Sequence, residues 1–309
     1  MIWLVLIAIL AAIIALPYVL EARRSDPDPR EATGQFAELS QGRTHYQWIG
    51  PVRGPVVVAI HGLTTPLDVW EGVGRGLAGF GYRVLVYDLF GRGWSESVPG
   101  RQDAEFFVQQ LEDLLEDQGL TDDVTLVGYS LGGAIATAFG ARHPERVTRV
   151  ILLAPAGLDM EEDPVHRFMR LWPVVGDWLH GVYEPVRMRA AILLGKDPNA
   201  DVPDMDVVQL RETGRKGFFP AVLAGRRGLL ATRLVEEHKR LGREDVPVVA
   251  IWAADDKVIP ISGLGSLAQL NRNARQEVVE GAGHGMIYTH AKAVLEVLRD
   301  VLRESWGSR

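Results

Sequence analysis

A serine between two glycines, Gly128-Tyr129-Ser130-Leu131-Gly132, is the segment with the clearest chemical potential. The apolar run 124–127 before it predicts a buried strand, and the small residues of 133–141 predict a helix packed closely on a sheet. Gly-x-Ser-x-Gly between a strand and a helix is typical of a nucleophile elbow. In such a turn the serine backbone is strained, and glycines avoid the clash of a Cβ across it. Ser130 is therefore the predicted nucleophile.

A serine hydroxyl needs a base, and the base needs an orienting acid. On a sheet of this type the order along the chain is Ser, then Asp or Glu, then His. Asp256 follows a predicted strand at 246–252, and His284 follows a weaker one at 275–280. Both side chains should emerge at the carboxyl edge of the sheet, as Ser130 does. We expect His284 to take the proton of Ser130 and Asp256 to orient His284.

Other side chains compete for these roles. Asp255 is an alternative to Asp256, because one step along a loop is not settled by sequence. Asp159, after another predicted strand, is a more remote acid. His61 could be a base, but its position favours a structural role in shaping a turn. Ser95 lacks the strand and helix that would make it a second nucleophile.

The tetrahedral intermediate formed on a serine needs two donors for its oxyanion. The amide of Leu131 is one candidate, because it is the first of the predicted helix and the helix dipole favours negative charge there. The second should come from the turn His61-Gly62-Leu63, most simply from the Leu63 amide. Both donors are backbone amides, so the side chains at these positions matter little to this role.

The apolar pattern predicts the sheet that would bring these residues together. Alternation within 36–49, interrupted at Gln41-Gly42, predicts a first hairpin. Runs typical of parallel strands buried on both faces follow at 55–62, 83–88, 124–129, 147–154, 246–252 and, more weakly, 275–280. Helical patterns lie at 68–80, 104–118, 131–142 and 289–304. The alternation indicates an α/β fold with a doubly wound, mostly parallel sheet.

Residues 157–242 break this alternation. They contain no clear buried strand, and their amphipathic segments lie at 162–180, 183–195, 204–213 and 217–240, broken by prolines at 173, 185, 198, 203 and 220. A structureless loop of this length is improbable in a folded domain. We predict a helical cap over 157–242, inserted into a core formed by 36–156 and 243–309.

Residues 1–20 carry no charged side chain and would form a helix of about 30 Å, the thickness of the hydrocarbon core of a membrane. The segment lacks the basic start and the cleavage site of a signal peptide, so a single membrane span is favoured over a cleaved signal or a buried helix. Arg23 and Arg24 follow it, and the positive-inside bias places the catalytic domain in the cytoplasm. The predicted layout is a transmembrane anchor over 1–24 and a linker over 25–35.

The composition narrows the possible functions. Of the 309 residues 47% are hydrophobic and 24% are charged, which is typical of a folded domain. The net charge of -7 argues against nucleic acid as a partner. The absence of cysteine excludes disulfides and thiolate metal sites, and the histidines lack metal-ligand spacing. We expect no metal and no cofactor, and the sequence does not indicate an oligomeric state.

Five motifs in this order resemble the α/β-hydrolase superfamily, from about residue 36 to the C-terminus. They are His61-Gly62-Leu63 and the segments 88–95, 128–133, 143–147 and 281–284. The resemblance implies a capped serine hydrolase, similar to carboxylesterases, monoacylglycerol-lipase-like enzymes and carbon–carbon bond hydrolases.

The chain departs from the patterns of some relatives. Ala253 stands where the acid loop usually has glycine, which loosens the assignment of Asp256. The turn at 62–66 is less glycine-rich than that of carbon–carbon hydrolases, so that activity is less expected. Haloalkane dehalogenases and epoxide hydrolases carry aspartate where this chain has Ser130, which argues against both.

The expected function is that of a membrane-anchored serine hydrolase that cleaves carboxylic esters through an acyl-enzyme on Ser130. Apolar side chains in the predicted cap suggest a hydrophobic or lipid ester, although they are equally typical of ordinary packing: Phe168, Met169, Leu171, Trp172, Trp178, Phe218 and Phe219. The alternatives are a carbon–carbon bond hydrolase that uses the same three residues and a non-catalytic ligand-binding relative. The intact Ser–Asp–His set argues against the last.

Overall fold

A computed structural model, which describes residues 1–303, has one eight-stranded sheet at its centre. The strands are β1 Gln35–Glu38, β2 Arg43–Ile49, β3 Val56–Ile60, β4 Arg83–Tyr87, β5 Val124–Tyr129, β6 Val147–Leu153, β7 Val248–Ala253 and β8 Arg275–Val279. Their spatial order is β1-β2-β4-β3-β5-β6-β7-β8. β2 pairs antiparallel with β1 and β4, and the remaining pairs are parallel. The predicted mostly parallel α/β sheet is confirmed.

Helices cover both faces of the sheet. They are α1 Ile2–Ala22, α2 Glu71–Gly79, α3 Ala104–Asp117, α4 Leu131–Arg142, α5 Pro164–Leu171, α6 Val175–Leu194, α7 Met205–Gly214, α8 Phe218–Arg227, α9 Val235–Arg243, α10 Gly263–Leu270, α11 Met286–Thr289 and α12 Ala291–Arg303. Helices α3, α4, α9 and α10 pack on one face, and α2, α11 and α12 pack on the other. Position 304 of the predicted last helix, and the rest of the predicted core up to 309, lie outside the described residues.

The two-sided cover explains the continuous apolar runs. Successive side chains of a strand point to opposite faces. In β3, Val58 and Ile60 therefore join the hydrophobic core under α3 and α4, whereas Val57 and Ala59 join the core under α2 and α12. All four side chains are fully buried. A polar residue at any of these positions would face a core.

The cap differs in detail from the predicted segments. It is built from α5 to α8, and the break between its first two helices lies at Pro173, whereas Pro185 lies inside α6 and Pro220 lies in the first turn of α8. Helix α9, which we predicted as the end of the cap, packs on α4 instead, with Leu241 against Gly140. Its apolar side faces the core, so the cap ends before residue 235. Helix α10 had no predicted counterpart, because its two glycines weaken the helical pattern.

The N-terminal helix is docked on the cap. Within residues 1–303, α1 is the helix that is long and apolar enough to cross a membrane, with a mean hydropathy of 2.8. That property fits both a membrane span and an N-terminal signal sequence.

The predicted linker 25–35 is attached to the cap, because the Ser25 amide donates to the Gly214 carbonyl at 3.3 Å and the Lys216 amide donates to the Ser25 carbonyl at 2.9 Å. Gln35 already belongs to β1.

The chain passes very close to β3 where β5 turns into α4. A Cβ on Gly128 would lie 2.2 Å from the carbonyl oxygen of Gly132, which is the predicted clash across the turn. A Cβ on Gly132 would lie 2.0 Å from the carbonyl oxygen of Ile60, so its constraint comes from the neighbouring strand and not from its own turn. Real Cβ atoms do not approach backbone atoms this closely, and glycine is therefore required at both positions.

We expect Gly132→Ala to lower the free energy of unfolding by at least about 2 kcal/mol, because the backbone of β3 must move to admit the methyl group. Gly265→Ala is the matched control: it lies inside α10, and its added Cβ would meet no neighbouring atom within 4 Å. Alanine there should stabilise by about 0.5–1 kcal/mol. Urea unfolding followed by circular dichroism measures both, and equal transition midpoints would contradict the close passage.

Candidate active site

Ser130 joins β5 to α4 in a backbone conformation that few residues adopt, with φ 54° and ψ -116°. Its amide donates to the Leu153 carbonyl at 3.0 Å, and its carbonyl accepts from the amides of Gly133 and Ala156 at 2.9 and 3.0 Å. Strain of this kind costs about 1–3 kcal/mol and persists where the surrounding contacts enforce it. These hydrogen bonds therefore fix the direction of the Ser130 side chain.

The structure brings Ser130, His284 and Asp256 into contact. Nε2 of His284 lies 3.1 Å from Oγ of Ser130, and Nδ1 of His284 lies 2.7 Å from Oδ2 of Asp256. Asp256 follows β7, and His284 lies between β8 and α11, so both are at the edge of the sheet where β5 ends. With Nδ1–H donated to the carboxylate, Nε2 can accept the serine proton. The geometry suits a nucleophilic serine.

The carboxylate of Asp256 is fully buried and has a donor for each oxygen. Oδ1 accepts from the amides of Val258 and Ile259 at 2.7 and 2.9 Å, and Oδ2 accepts from His284. A buried charge without such partners would be strongly destabilising. The amides also hold the carboxylate in one orientation, so that it can orient the imidazole.

The two competing acids lie elsewhere. Asp255 is exposed, and its amide donates to the Ala282 carbonyl. Asp159 pairs with Arg233 at 2.9 Å and accepts a hydrogen bond from Ser266. The carboxylate that contacts His284 is that of Asp256.

Tyr129 contacts the loop that carries His284, a contact that the sequence did not indicate. Its hydroxyl donates to the carbonyl of His284 at 2.9 Å, and the two ring centroids are 5.4 Å apart. Burial raises the pKa of Tyr129 well above its usual value, so the hydroxyl stays protonated and remains a donor. The variable position after the first glycine of the motif thus helps to place the base.

The two segments that carry the expected oxyanion donors lie beside Ser130. Leu131 opens α4, and a Cβ built on Gly62 would lie 3.4 Å from Cβ of Ser130, which places the Gly62–Leu63 turn against the serine. Within residues 1–303 neither the Leu63 nor the Leu131 amide donates to another protein group. Both amides therefore remain available for an oxyanion.

His61 is a structural residue of this turn. It is fully buried, its Nδ1–H donates to the Gly62 carbonyl at 2.7 Å, and its Nε2 accepts from the Leu89 amide at 2.8 Å. Burial lowers the pKa of His61 to about 4, so the ring stays neutral and can make both bonds at once. It joins the turn that carries Leu63 to the loop after β4.

The loop after β4 is held by Asp88. Its carboxylate accepts from Nδ1 of His45 at 2.7 Å and from the amides of Leu67 and Trp94 at 2.8 and 3.0 Å. Ser95 is fully buried, and its hydroxyl donates to the Asp88 carbonyl at 2.6 Å. Both residues are engaged in loop structure, and Ser95 has no access to a substrate.

Arg92 connects the Leu63 turn to the cap, a role that sequence reasoning missed. Its buried guanidinium donates to the carbonyls of Leu63 at 3.1 Å, Phe90 at 2.6 Å and Ala221 at 3.2 Å, and to the side chain of Gln102 at 2.7 Å. Burial lowers the pKa of Arg92 to about 9, which still leaves it charged at neutral pH. Ala221 lies in α8, so one side chain ties the cap to the Leu63 turn.

A cavity of about 550 Å³ lies over Ser130 and His284. The core contributes Leu63 and Tyr129, and the cap wall contributes Met188, Ala191, Ile192, His166 and Arg187. A second cavity of about 550 Å³ lies between α1 and the cap, and its lining does not include Ser130, His284 or Asp256. Within residues 1–303 no group of three His, Cys, Asp or Glu side chains could hold a metal ion.

The cap wall is stiffened by one buried carboxylate, Glu184. His166, Arg187 and Arg226 donate to it at 3.0, 2.8 and 3.3 Å. Burial alone would raise the pKa of Glu184, but the hydrogen bonds of His166 and Arg187 and the charge of Arg226 outweigh it and hold that pKa well below its usual value. The cluster joins α5, α6 and α8 into one unit.

Comparison with known proteins places this geometry in a family. Residues 55–291 match the family described as alpha/beta hydrolase fold. The chain belongs to this family. The superfamily resemblance inferred from the sequence motifs is thereby confirmed, and the protein is a hydrolase of the α/β fold.

The similar proteins have several activities. The chain is 26% identical over 292 residues to 2-hydroxy-6-oxononadienedioate/2-hydroxy-6-oxononatrienedioate hydrolase 1 of Dechloromonas aromatica, covering 88% of this chain and 96% of that protein. An esterase from Exiguobacterium antarcticum has a TM-score of 0.74 at 20% identity, covering 88% of this chain and all of that one. A membrane phospholipase A described as a bacterial virulence factor has a TM-score of 0.71 at 19% identity, covering 97% and 96%. The structures share the fold.

We expect Asp256→Asn to slow covalent labelling of the protein by a fluorophosphonate by about 10,000-fold, because an amide favours the wrong imidazole tautomer. Asp255→Asn, one residue earlier, should label within about twofold of the wild-type rate, because Asp255 is exposed and does not contact His284. The labelling rate of each folded variant is the measurement. Similar losses in both variants would contradict the assignment of Asp256.

Arg92→Lys should slow the same labelling by at least about tenfold, since losing a whole oxyanion donor costs about 100- to 1,000-fold and a lysine cannot hold the Leu63 carbonyl with the geometry of a guanidinium. Arg215→Lys is the matched control, because Arg215 is also buried between this loop and the cap but donates to Gly93 and Ser95. Rates are compared after normalising to the folded fraction by circular dichroism. An unchanged rate in Arg92→Lys would refute its positioning role.

Proposed function

We propose that this protein hydrolyses carboxylic esters through an acyl-enzyme on Ser130. The observation that carries the proposal is the line of hydrogen bonds from Ser130 through His284 to Asp256 on the floor of a cavity. A neutral serine is a weak nucleophile, and an adjacent oriented base removes its proton as attack proceeds.

In the proposed first half-reaction, Oγ of Ser130 attacks the ester carbonyl carbon while Nε2 of His284 takes the hydroxyl proton. Asp256 stabilises the imidazolium, and the proton then passes to the departing alcohol. In the second half-reaction water attacks the acyl carbon, His284 takes a proton from it, and Ser130 regains that proton as the carboxylic acid leaves. Ester and water thus give acid and alcohol. The amides of Leu63 and Leu131 are the proposed donors to the oxyanion in both halves.

We further propose a hydrophobic, lipid-like ester as substrate. The cavity has apolar side chains on both walls, Leu63 from the core and Met188 and Ile192 from the cap, which suit an acyl chain. Helix α1 has the length and composition of a membrane span, and Arg23 and Arg24 after it favour a cytoplasmic catalytic domain. The similar membrane phospholipase A supports a membrane setting by analogy.

The test is a series of p-nitrophenyl esters from acetate to palmitate, together with a monoacylglycerol, given to the full chain in detergent. We expect turnover that favours the longer acyl chains and that falls at least about 10,000-fold in Ser130→Ala. Ser262→Ala, an exposed serine at the start of α10, is the matched control and should retain activity. Absence of hydrolysis across the whole series would refute the proposal and leave a ligand-binding relative.

The second candidate is a carbon–carbon bond hydrolase, favoured by the similarity to the Dechloromonas aromatica hydrolase. It would use the same three residues. Turnover of a vinylogous diketone much faster than of any ester in the series would support it.

A further inference from the structure

The turn between α5 and α6 exposes a cluster of apolar side chains. We define the cap tip as Phe168, Leu171, Trp172, Val174 and Val175. Each is exposed, Trp172 to 60% and Val174 to 77%. Arg167, next to Phe168 in α5, is exposed and charged, whereas Arg170 pairs with Glu162 at 2.8 Å and Arg227 pairs with Asp177 at 2.5 Å. Contiguous exposed apolar surface of this kind marks a site of contact with a partner or a membrane.

Helix α1 is docked beside this tip through an unusual hydrogen bond. Pro17 lies inside α1 and has no N–H, so the carbonyl of Ile13 loses its helical donor. The indole N–H of Trp178, in the first turn of α6, donates to that carbonyl at 2.7 Å. An unpaired carbonyl is costly in hydrocarbon. The pair therefore suits a contact between α1 and α6 inside a membrane.

The contact continues along both helices in the same direction. Gly181 passes so close to α1 that a Cβ on it would lie 2.6 Å from Cβ of Pro17. Further on, the charge of Arg24 interacts with that of Arg189 in α6, while Glu21 accepts from the amide of Gly217, just before α8, at 2.5 Å. Helices α1 and α6 thus run parallel, and the depth of one sets the depth of the other.

The position of α1 in a membrane would fix that of the cap tip. Ile13 precedes Glu21, the first charged residue after the span, by eight residues, or about 12 Å of helix. Because α6 begins three residues before Trp178, the tip lies about 4 Å deeper still. If the helices run along the membrane normal, the cap tip lies about 16 Å below the boundary, which is about half the thickness of the hydrocarbon core. A tilt of the helices reduces this depth.

We infer that the cap tip inserts into the lipid bilayer beside α1. The inference rests on the proposed membrane span, and the occupant of the apolar surface is the hydrocarbon of the same bilayer. Continuity decides this, since the tip lies alongside a helix whose other faces are exposed and whose residues 2–20 carry no charge.

The same geometry sets the level of the catalytic cavity. Met188 of the cavity wall lies ten residues beyond Trp178, or about 15 Å back toward the boundary. That brings it to the level of Glu21 and Arg24, in the interfacial layer where the ester groups of a glycerolipid lie. A lipid could reach Ser130 without leaving that layer.

Single-cysteine variants test the insertion, because the chain has no cysteine of its own. An environment-sensitive nitrobenzoxadiazole label is placed at Leu171→Cys or Val175→Cys in the cap tip or at Ile9→Cys in α1. The control position is Val52→Cys, in the exposed loop between β2 and β3. The full chain is reconstituted in phosphatidylcholine vesicles with nitroxide-labelled acyl chains. We expect blue-shifted, quenched emission at 171, 175 and 9, and neither change at 52.

Quenching of the label at position 9 without quenching at positions 171 and 175 would contradict the insertion of the cap tip. Absence of quenching at position 9 would contradict the proposed membrane span of α1, on which the insertion rests. A blue shift at the tip without quenching would mean that a second copy of the chain covers it. These readouts need no catalysis, so they fail independently of the proposed ester hydrolysis.

Activity gives a second readout. The double variant Leu171→Asp/Val175→Asp should lose at least about tenfold in turnover of a monoacylglycerol held in vesicles, because carboxylates resist transfer into hydrocarbon. Its turnover of p-nitrophenyl acetate in water should change less than about twofold, since neither side chain lines the cavity. Unchanged turnover of the vesicle substrate would contradict the inference.

Discussion

The close passage of α4 over the ends of β3 and β5 is the constraint on which the site depends. Gly128 and Gly132 permit it, and it forces Ser130 to a φ of 54° between two regular elements. The same passage puts the first residue of α4, Leu131, and the Gly62 turn next to Ser130. Backbone packing therefore positions the serine and the segments that carry the two proposed oxyanion donors, and the side chains of His61 and Arg92 further hold the Leu63 turn.

Hydrogen-bonded polar side chains connect the Leu63 turn to the cap and the cap to α1. His61 and Arg92 hold the Leu63 turn against the loop after β4, and Arg92 also reaches α8 of the cap. Glu184 then ties α8 to α5 and α6, and Trp178 of α6 completes the hydrogen bonding of α1. Each group is buried or leaves a partner unpaired when removed, so substitutions far from Ser130 should affect its reactivity. The proposed membrane span and the proposed catalytic residues are thus parts of one connected structure.

Sequence patterns predicted the sheet, the elbow and the residues that meet at it, because those features depend on local periodicity and on glycine and serine spacing. The packing of α9 on the core and the docking of residues 25–35 were not predicted, since both depend on contacts between distant segments. Arg92 was missed because its partners are carbonyls, which every residue type supplies. The hydrogen bond from Trp178 to the Ile13 carbonyl could have been anticipated in part from the sequence. Pro17 in an apolar helix leaves that carbonyl without its helical donor, so another donor is required.

Trapping the covalent intermediate tests directly whether Ser130 forms the proposed acyl-enzyme. The full chain is mixed with a p-nitrophenyl ester, quenched in acid within the first turnover and digested, and the peptides are weighed by mass spectrometry. We expect the acyl mass on the peptide that contains Ser130, and a burst of one nitrophenol per folded protein when deacylation is the slower step. Steady turnover with no acylated peptide, or an acyl group on another residue, would contradict it.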